Sequence, residues 1–291
     1  MHINWYPGHM KKTKDLIKMN LKLVDVVVEL LDARIPFSSR NPQFDELVGQ
    51  KPRVVALNKF DLADPSVTNA WIEDYKKKGI KAIPVNALTG AGMKDLLAAV
   101  KETGSARVDR RVAKGADRSG VRVMIVGIPN VGKSSLINNL VGKKSAKTGN
   151  KPGVTKGKQW IRVRSDIDLF DTPGILWPKI EDQNVGMKLA YTGAIKDEIL
   201  HIDDIAYHLL ASLIDKYPDL ITARYKFEEE DLHGQTIEVM DEIGRKRGCI
   251  KRGKEIDYDK TARLILDEYR KGTIGRITLE HPSDVVETSE A

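Results

Sequence analysis

Over the first 180 residues, short apolar runs alternate with helical periodicity. Residues 24–31, 53–57, 82–85 and 121–126 are near-continuous β-branched and apolar stretches bounded by turn residues, the pattern of strands buried on both faces. Between them, residues 43–48, 67–78 and 93–101 carry apolar side chains at three- and four-residue spacing, and a further helix is expected to start near Gly132. This alternation predicts an α/β fold, a largely parallel sheet with helices on both faces. Residues 158–163 and 167–170 read as an antiparallel hairpin. Residues 103–120, rich in Gly, Ser, Ala and Arg, are expected to be an exposed connection between two blocks of one domain, and residues 143–157 a loop. After about residue 182 the strand signal fades, and residues 185–193, 203–216, 236–246 and 260–271 look helical. The expected division is a first domain over 1–180, with a leader at 1–20, and an α-helical domain over 181–291.

The bulk numbers narrow the class. With 41% hydrophobic residues among 291, the chain can bury a core, and its 31% charged residues are mixed in sign, which argues against wholesale disorder. A lone Cys249 excludes a disulfide within the chain and fits a reducing compartment. The start of the chain shows no apolar secretory segment, and residues 21–31 are too short and too charged, through Lys22, Asp25 and Glu29, to span a bilayer. The chain is therefore expected to be cytoplasmic. A net charge of +7 admits nucleic acid or anionic lipid as a partner without selecting either.

Gly127-Ile128-Pro129-Asn130-Val131-Gly132-Lys133-Ser134 follows an apolar strand and precedes a periodic helix, so it has the spacing and the context of a phosphate-binding loop. Glycines let the backbone N–H groups wrap phosphate, and the helix start adds a favourable dipole. Lys133 would reach the β- and γ-phosphates, Ser134 would hold Mg²⁺ with Ser135 beside it, and Pro129 and Val131 complete the loop. Asp171-Thr172-Pro173-Gly174 follows the last expected strand; Asp171 would orient Mg²⁺ and the Gly174 amide would meet the γ-phosphate. Thr155, in the polar loop between these motifs, is either a second Mg²⁺-coordinating hydroxyl or an ordinary loop threonine.

The base motifs lie upstream. In Asn58-Lys59-Phe60-Asp61, at a strand end, the Asp61 carboxylate can accept both N1–H and N2–H₂ of guanine, a pair that adenine lacks. Asn58 would support the base and its loop, and the Lys59 methylenes would lie along the ring. Asn86-Ala87-Leu88 ends the next strand, where the Ala87 amide would donate to guanine O6.

In ordinary small GTPases the phosphate loop comes first and the base motifs last. Here the order is reversed, as if the chain had been cut after D-x-x-G and its old ends joined in an exposed segment. With these motifs, the leader Trp5-Tyr6-Pro7-Gly8-His9-Met10, the stretch Asp32-Ala33-Arg34-Ile35-Pro36 and the late Tyr269-Arg270-Lys271-Gly272, the chain resembles the circularly permuted GTPases of bacterial 50S subunit assembly. The resemblance covers nearly the whole chain. It implies hydrolysis of GTP to GDP in late assembly of the large subunit, with rRNA and ribosomal proteins of the 50S precursor as partners and a helical domain on rRNA.

The residue after D-x-x-G is Ile175, which cannot orient a water as the glutamine of many GTPases does. The resemblance suggests His9 for that role; a structural or RNA-contacting His9 is the alternative. It also implies a K⁺ ion on the Asn130 side chain. Lys143, Lys144, Lys147, Lys151, Lys156, Lys158, Arg162 and Arg164 occur without an intervening acid, and Arg245, Lys246, Arg247, Lys251, Arg252 and Lys254 form a second cluster. Each is either a solvated basic face or a phosphate-backbone contact, and two together favour RNA. GTP is expected to order residues 147–155 and 175–184 and to raise affinity for pre-ribosomal particles. The expected protein acts as a monomer away from membranes; a nucleotide-gated RNA-binding checkpoint with incidental hydrolysis is the competing class.

Overall fold

The computed structural model describes residues 18–115, 120–142, 160–164, 166–170 and 182–285, which fall into two compact units. The first is built on a six-stranded sheet. Its strands are β1 (Val26–Asp32), β2 (Arg53–Asn58), β3 (Lys81–Val85), β4 (Val121–Gly127), β5 (Trp160–Arg164) and β6 (Ile167–Phe170), in the spatial order β3-β2-β1-β4-β6-β5. All neighbours run parallel except β5, which is antiparallel to β6. The two sequence blocks meet where β1 pairs with β4, Val26 opposite Val123 and Leu30 opposite Gly127. The chain thus makes one continuous α/β sheet from base and phosphate motifs in permuted order.

The central strands are mostly apolar because both faces are covered. On one face Val27, Met124 and Val126 pack with Phe44 and Val48 of α1 (Phe44–Val48). Beside them Val55, Leu57 and Ala82 receive Trp71 and Tyr75 of α2 (Pro65–Lys77). The other face sets Val28, Val123 and Ile125 against Leu96, Leu97 and Val100 of α3 (Met93–Ala113), with Leu140 of α4 (Lys133–Val141) nearby. Leu136 and Ile137 are buried on α4, each contributing about 2 kcal/mol relative to exposure. Asp64 starts α2 by accepting the Ser66 and Val67 amides, with Pro65 at the first helical position.

The expected connection over residues 103–120 is instead helical as far as Ala113. Its loop-like composition has a packing cause. A Cβ on Gly104 would lie 2.6 Å from the Val121 side chain and 2.8 Å from that of Val26, so glycine lets α3 approach β1 and β4. Glycine costs a helix about 1 kcal/mol, which close packing offsets. Arg111, near the helix end, pairs with Asp25 at 3.1 Å and donates to the Gly120 carbonyl at 2.9 Å.

The second unit, residues 182–279 of the described chain, is helical: α5 (Gln183–Tyr191), α6 (Ile202–Lys216), α7 (Pro218–Tyr225), α8 (Thr236–Lys246) and α9 (Tyr258–Lys271). Ile205, Ala206, Leu209, Leu210 and Leu213 of α6 are buried and form its centre. Helix α7 was not expected from periodicity; Pro218 at its first position sets the helical φ and starts it immediately after α6. Residues 280–285 do not belong with this unit, although the expected helical domain ran to 291. They return to the sheet unit, where Trp71 Nε1 donates to the Glu280 carbonyl at 2.8 Å and Val285 packs beside Trp71 and Tyr75. Among the described residues no helix is long and apolar enough to cross a membrane.

Candidate functional site

The sheet aligns the carboxyl ends of its central strands: Asp32 is opposite Asn58, and Asn58 opposite Val85. Loops leaving these ends therefore share one rim, the place where open α/β sheets take ligands. From β4 the chain passes through Gly127, Pro129, Asn130, Val131 and Gly132 into α4. Asn130 has φ +59° and Gly132 φ +104°, left-handed conformations that curl the loop. A Cβ on Gly132 would sit 2.3 Å from Asn58 Nδ2, so no other residue fits there without displacing Asn58. Helix α4 opens with Lys133, Ser134 and Ser135. No side chain caps it and no acid stands in its first turn, so nothing within the helix neutralises its positive end.

Asn58 joins the two halves of the site. Its Nδ2 donates to the Val131 carbonyl of the phosphate loop at 2.6 Å, and its Oδ1 accepts the Ala87 amide at 2.9 Å. The side chain is 2% exposed, so both bonds form where an unmade one is costly. The Ala87 amide, assigned above to guanine O6, donates to Asn58 Oδ1 in this structure and so gives a buried amide oxygen its donor.

Lys59, at φ +62°, sends its ammonium to Asp32 Oδ2 at 2.9 Å and to the Asn130 carbonyl at 3.2 Å. Its stem thus crosses toward the phosphate loop. Asp32 is buried and also receives Arg34 in a two-pronged pair, Nε at 2.9 Å and Nη2 at 2.8 Å. Burial alone would raise the Asp32 carboxyl, but Arg34 and then Lys59 overcome it and hold that carboxyl well below the usual range. Sequence reasoning gave Asp32 and Arg34 no role at the site. The available signal was an acid and a base two residues apart at the end of a largely apolar strand, where buried charges need partners.

Asp61 stands in a short 3₁₀ turn, Phe60–Leu62; it is exposed, and among the described residues its carboxylate has no hydrogen-bonding or ionic partner. Asn86 closes the neighbouring loop by accepting the amides of Leu88 (2.9 Å) and Thr89 (3.0 Å), which leaves the Leu88 side chain 81% exposed. His9, Thr155, Asp171 and Gly174 lie outside the described residues, as do Lys143, Lys144, Lys147, Lys151, Lys156 and Lys158. Among the described residues no three His, Cys, Asp or Glu side chains gather as a metal cage. The hydroxyl of Ser134 beside a phosphate loop is instead the donor chemistry of a hard cation shared with phosphate.

In the helical unit the second basic cluster is partly committed to structure. Lys246 donates to the Lys226 carbonyl (2.6 Å), Arg247 to that of Arg224 (3.0 Å), and Arg245 pairs with Glu242 (2.9 Å). Lys251, Arg252 and Lys254 are exposed on a tight turn closed by the bridge between Ile250 and Ile256.

Comparison with known proteins agrees with this geometry. Residues 122–251 match the family model described as "50S ribosome-binding GTPase". Ribosome biogenesis GTPase A of Priestia megaterium is 51% identical over 287 residues, covering 98% of each chain. Two solved structures of YlqF from Thermotoga maritima resemble the chain. The GDP-bound form has a TM-score of 0.69 at 29% identity, covering 92% of this chain and 100% of that one. The GNP-bound form has a TM-score of 0.65 at 31% identity, covering 94% and 100%.

Proposed function

The chain belongs to the family of ribosome biogenesis GTPase A and is a GTPase of ribosome biogenesis, and from that premise we propose how its residues hold the nucleotide and which particle they serve. GTP lies across the rim, its phosphates on Gly127, Pro129, Asn130, Val131, Gly132, Lys133, Ser134 and Ser135 and on Gly174. Its base lies between Asp61 and the loop of Asn86, Ala87 and Leu88, with Asn58 and Lys59 beneath. The observation that carries this reading is Asn58: one buried amide bonds both the phosphate loop and the base loop, which supports one pocket built from motifs 73 residues apart. Asp61, exposed and without a partner among the described residues, is available for the two guanine donors. Asp61→Asn is expected to weaken GTP and favour xanthosine triphosphate; an unaltered base preference would remove that assignment.

Ser134, Thr155 and Asp171 would hold Mg²⁺, which neutralises charge on the β- and γ-phosphates. The Asn130 side chain would hold K⁺, and turnover in KCl that equals turnover in NaCl at the same ionic strength would dismiss that ion. His9 would orient the attacking water, since Ile175 cannot; a neutral imidazole binds water near neutral pH. The cytoplasmic, monomeric protein then binds the 50S precursor through rRNA and ribosomal proteins, with Lys251, Arg252 and Lys254 on phosphates. Ile175 also keeps the second reading in play, a nucleotide-gated RNA checkpoint in which hydrolysis is incidental. Two measurements decide. Co-sedimentation with 50S precursors should be salt-sensitive and stronger with a non-hydrolysable GTP analogue than with GDP; equal binding defeats the nucleotide gating. GTP turnover should rise on 50S particles and lose that rise in His9→Ala; no stimulation favours the checkpoint.

A further inference from the structure

Glu280 is 2% exposed and opens the segment of the sheet unit that follows the helical one. Its carboxylate accepts the Phe37 amide at 2.8 Å, the Ser38 amide at 3.0 and 3.2 Å on its two oxygens, and the Ser38 hydroxyl. Its carbonyl accepts Trp71 Nε1. A buried carboxylate that takes two successive amides fixes the backbone that carries them. The next residue, Ser39, is also buried, and its hydroxyl accepts the Asp32 amide at 3.0 Å. Asp32 in turn holds Lys59 at 2.9 Å, and Lys59 donates to the Asn130 carbonyl at 3.2 Å. A series of direct contacts thus runs from Glu280 to the phosphate loop, and every member lies in the sheet unit.

We propose that Glu280 is a positioning residue of the nucleotide site, acting through residues 37–39, Asp32 and Lys59 to hold the main chain of Asn130. This rests on the site assignment under Proposed function. Asn130 gains from such support: asparagine tolerates the left-handed region better than most side chains, but φ +59° still carries a cost that its surroundings offset. Glu280 touches no phosphate and supplies no charge to the reaction. It sets how firmly the loop is preformed, and a preformed loop binds nucleotide without first being ordered. The coupling is reciprocal, so bound nucleotide also tightens the bonds at residues 37 and 38.

The test uses the full chain and GDP carrying a fluorescent ribose label. Glu280→Gln is expected to raise the dissociation rate of labelled GDP about tenfold, as is Lys59→Met. The double variant is expected within about twofold of Lys59→Met alone, because the two residues act in series. Effects that multiply, or a Glu280→Gln rate equal to that of the wild type, would overturn the proposal. In case Glu280→Gln unfolds, the wild-type chain offers a second reading: GDP should slow hydrogen exchange at the Phe37 and Ser38 amides. Exchange there that ignores GDP also overturns it. Failure of the wild-type chain to bind labelled GDP would remove the site and the proposal together. Binding that Asp61→Asn weakens and Glu280→Gln does not would remove the proposal alone.

Discussion

At Asn58 one side chain serves two loops, and the neighbouring positions show how little freedom is left around it. Gly132 faces Asn58 Nδ2 across a gap no Cβ fits, at a backbone angle that L-residues avoid. Gly132→Ala should therefore reduce GDP affinity at least about tenfold and destabilise the sheet unit by about 1–3 kcal/mol. Equilibrium binding and urea unfolding check the two parts, and wild-type affinity in the alanine variant would contradict the packing described. Glu29 is a different case. It interrupts the apolar run of β1, is fully buried, and has Arg40 Nε at 3.5 Å, too long for a good hydrogen bond. Burial pushes its carboxyl up from 4.5 to about 7, against the pull of Arg40 and Arg53. A raised folded value means the folded state keeps a proton that the unfolded chain releases. The contribution is full below the unfolded value of 4.5 and is lost as pH rises through about 7. The loss is about 3 kcal/mol by conversion of the shift. Urea unfolding should show wild type weakening against Glu29→Gln between about pH 4.5 and about pH 7; parallel stability curves would show that Glu29 ionises normally.

At the scale of elements, the helical unit is tied by side chains at helix ends. Arg270, near the end of α9, donates to the carbonyls of Ala190 (2.8 Å) and Tyr191 (2.9 Å), which close α5, and pairs two-pronged with Asp197, both contacts at 2.8 Å. Hydrogen bonding to Arg270 lowers the Asp197 carboxyl below its ordinary range, with burial opposing. These four bonds give a physical part to Arg270 in a segment known at first only by resemblance, and Gly272, at φ +72°, ends α9 two residues on. Arg270→Ala should destabilise the helical unit by about 2–4 kcal/mol, read by urea unfolding, because the Tyr191 and Ala190 carbonyls lose its guanidinium, Ala190 keeping the Gly193 amide, and Asp197 loses its two-pronged partner. Lysine should not rescue it, since one ammonium cannot reproduce the planar fork. The same scale explains the error over residues 103–120. Composition there suggested a loop, but Gly104 records the closeness of α3 to two strands, and closeness is a property of neighbours rather than of the segment.

For the molecule as a whole, residues 280–285 matter most among the features periodicity did not announce. Ending the chain at residue 279 should remove the acceptor of Trp71 Nε1 and the carboxylate that holds Phe37 and Ser38. Hydrogen exchange should then speed up by about tenfold or more in the sheet unit around residues 36–39 and 71, with the interior of α6 unchanged. Equal protection in both chains would make that segment an ornament. The fold class was legible because buried parallel strands and amphipathic helices each print a short-range period, and because G-x-x-x-x-G-K-S and N-K-x-D are contiguous peptides whose chemistry acts locally. Local periodicity and contiguous motifs are what the amino-acid order determined by itself, down to the permuted sequence of the site. Three dimensions decided what no window along the chain contains: Asn58 on Val131, 73 residues away, the Ala87 amide turned to Asn58, Asp32 held between Arg34 and Lys59, and Glu280 on Ser38 across 242 residues. The physical reason is burial. A polar group taken out of water must find a partner wherever the fold brings one, and that partner's place in the chain leaves no trace in either residue's neighbours.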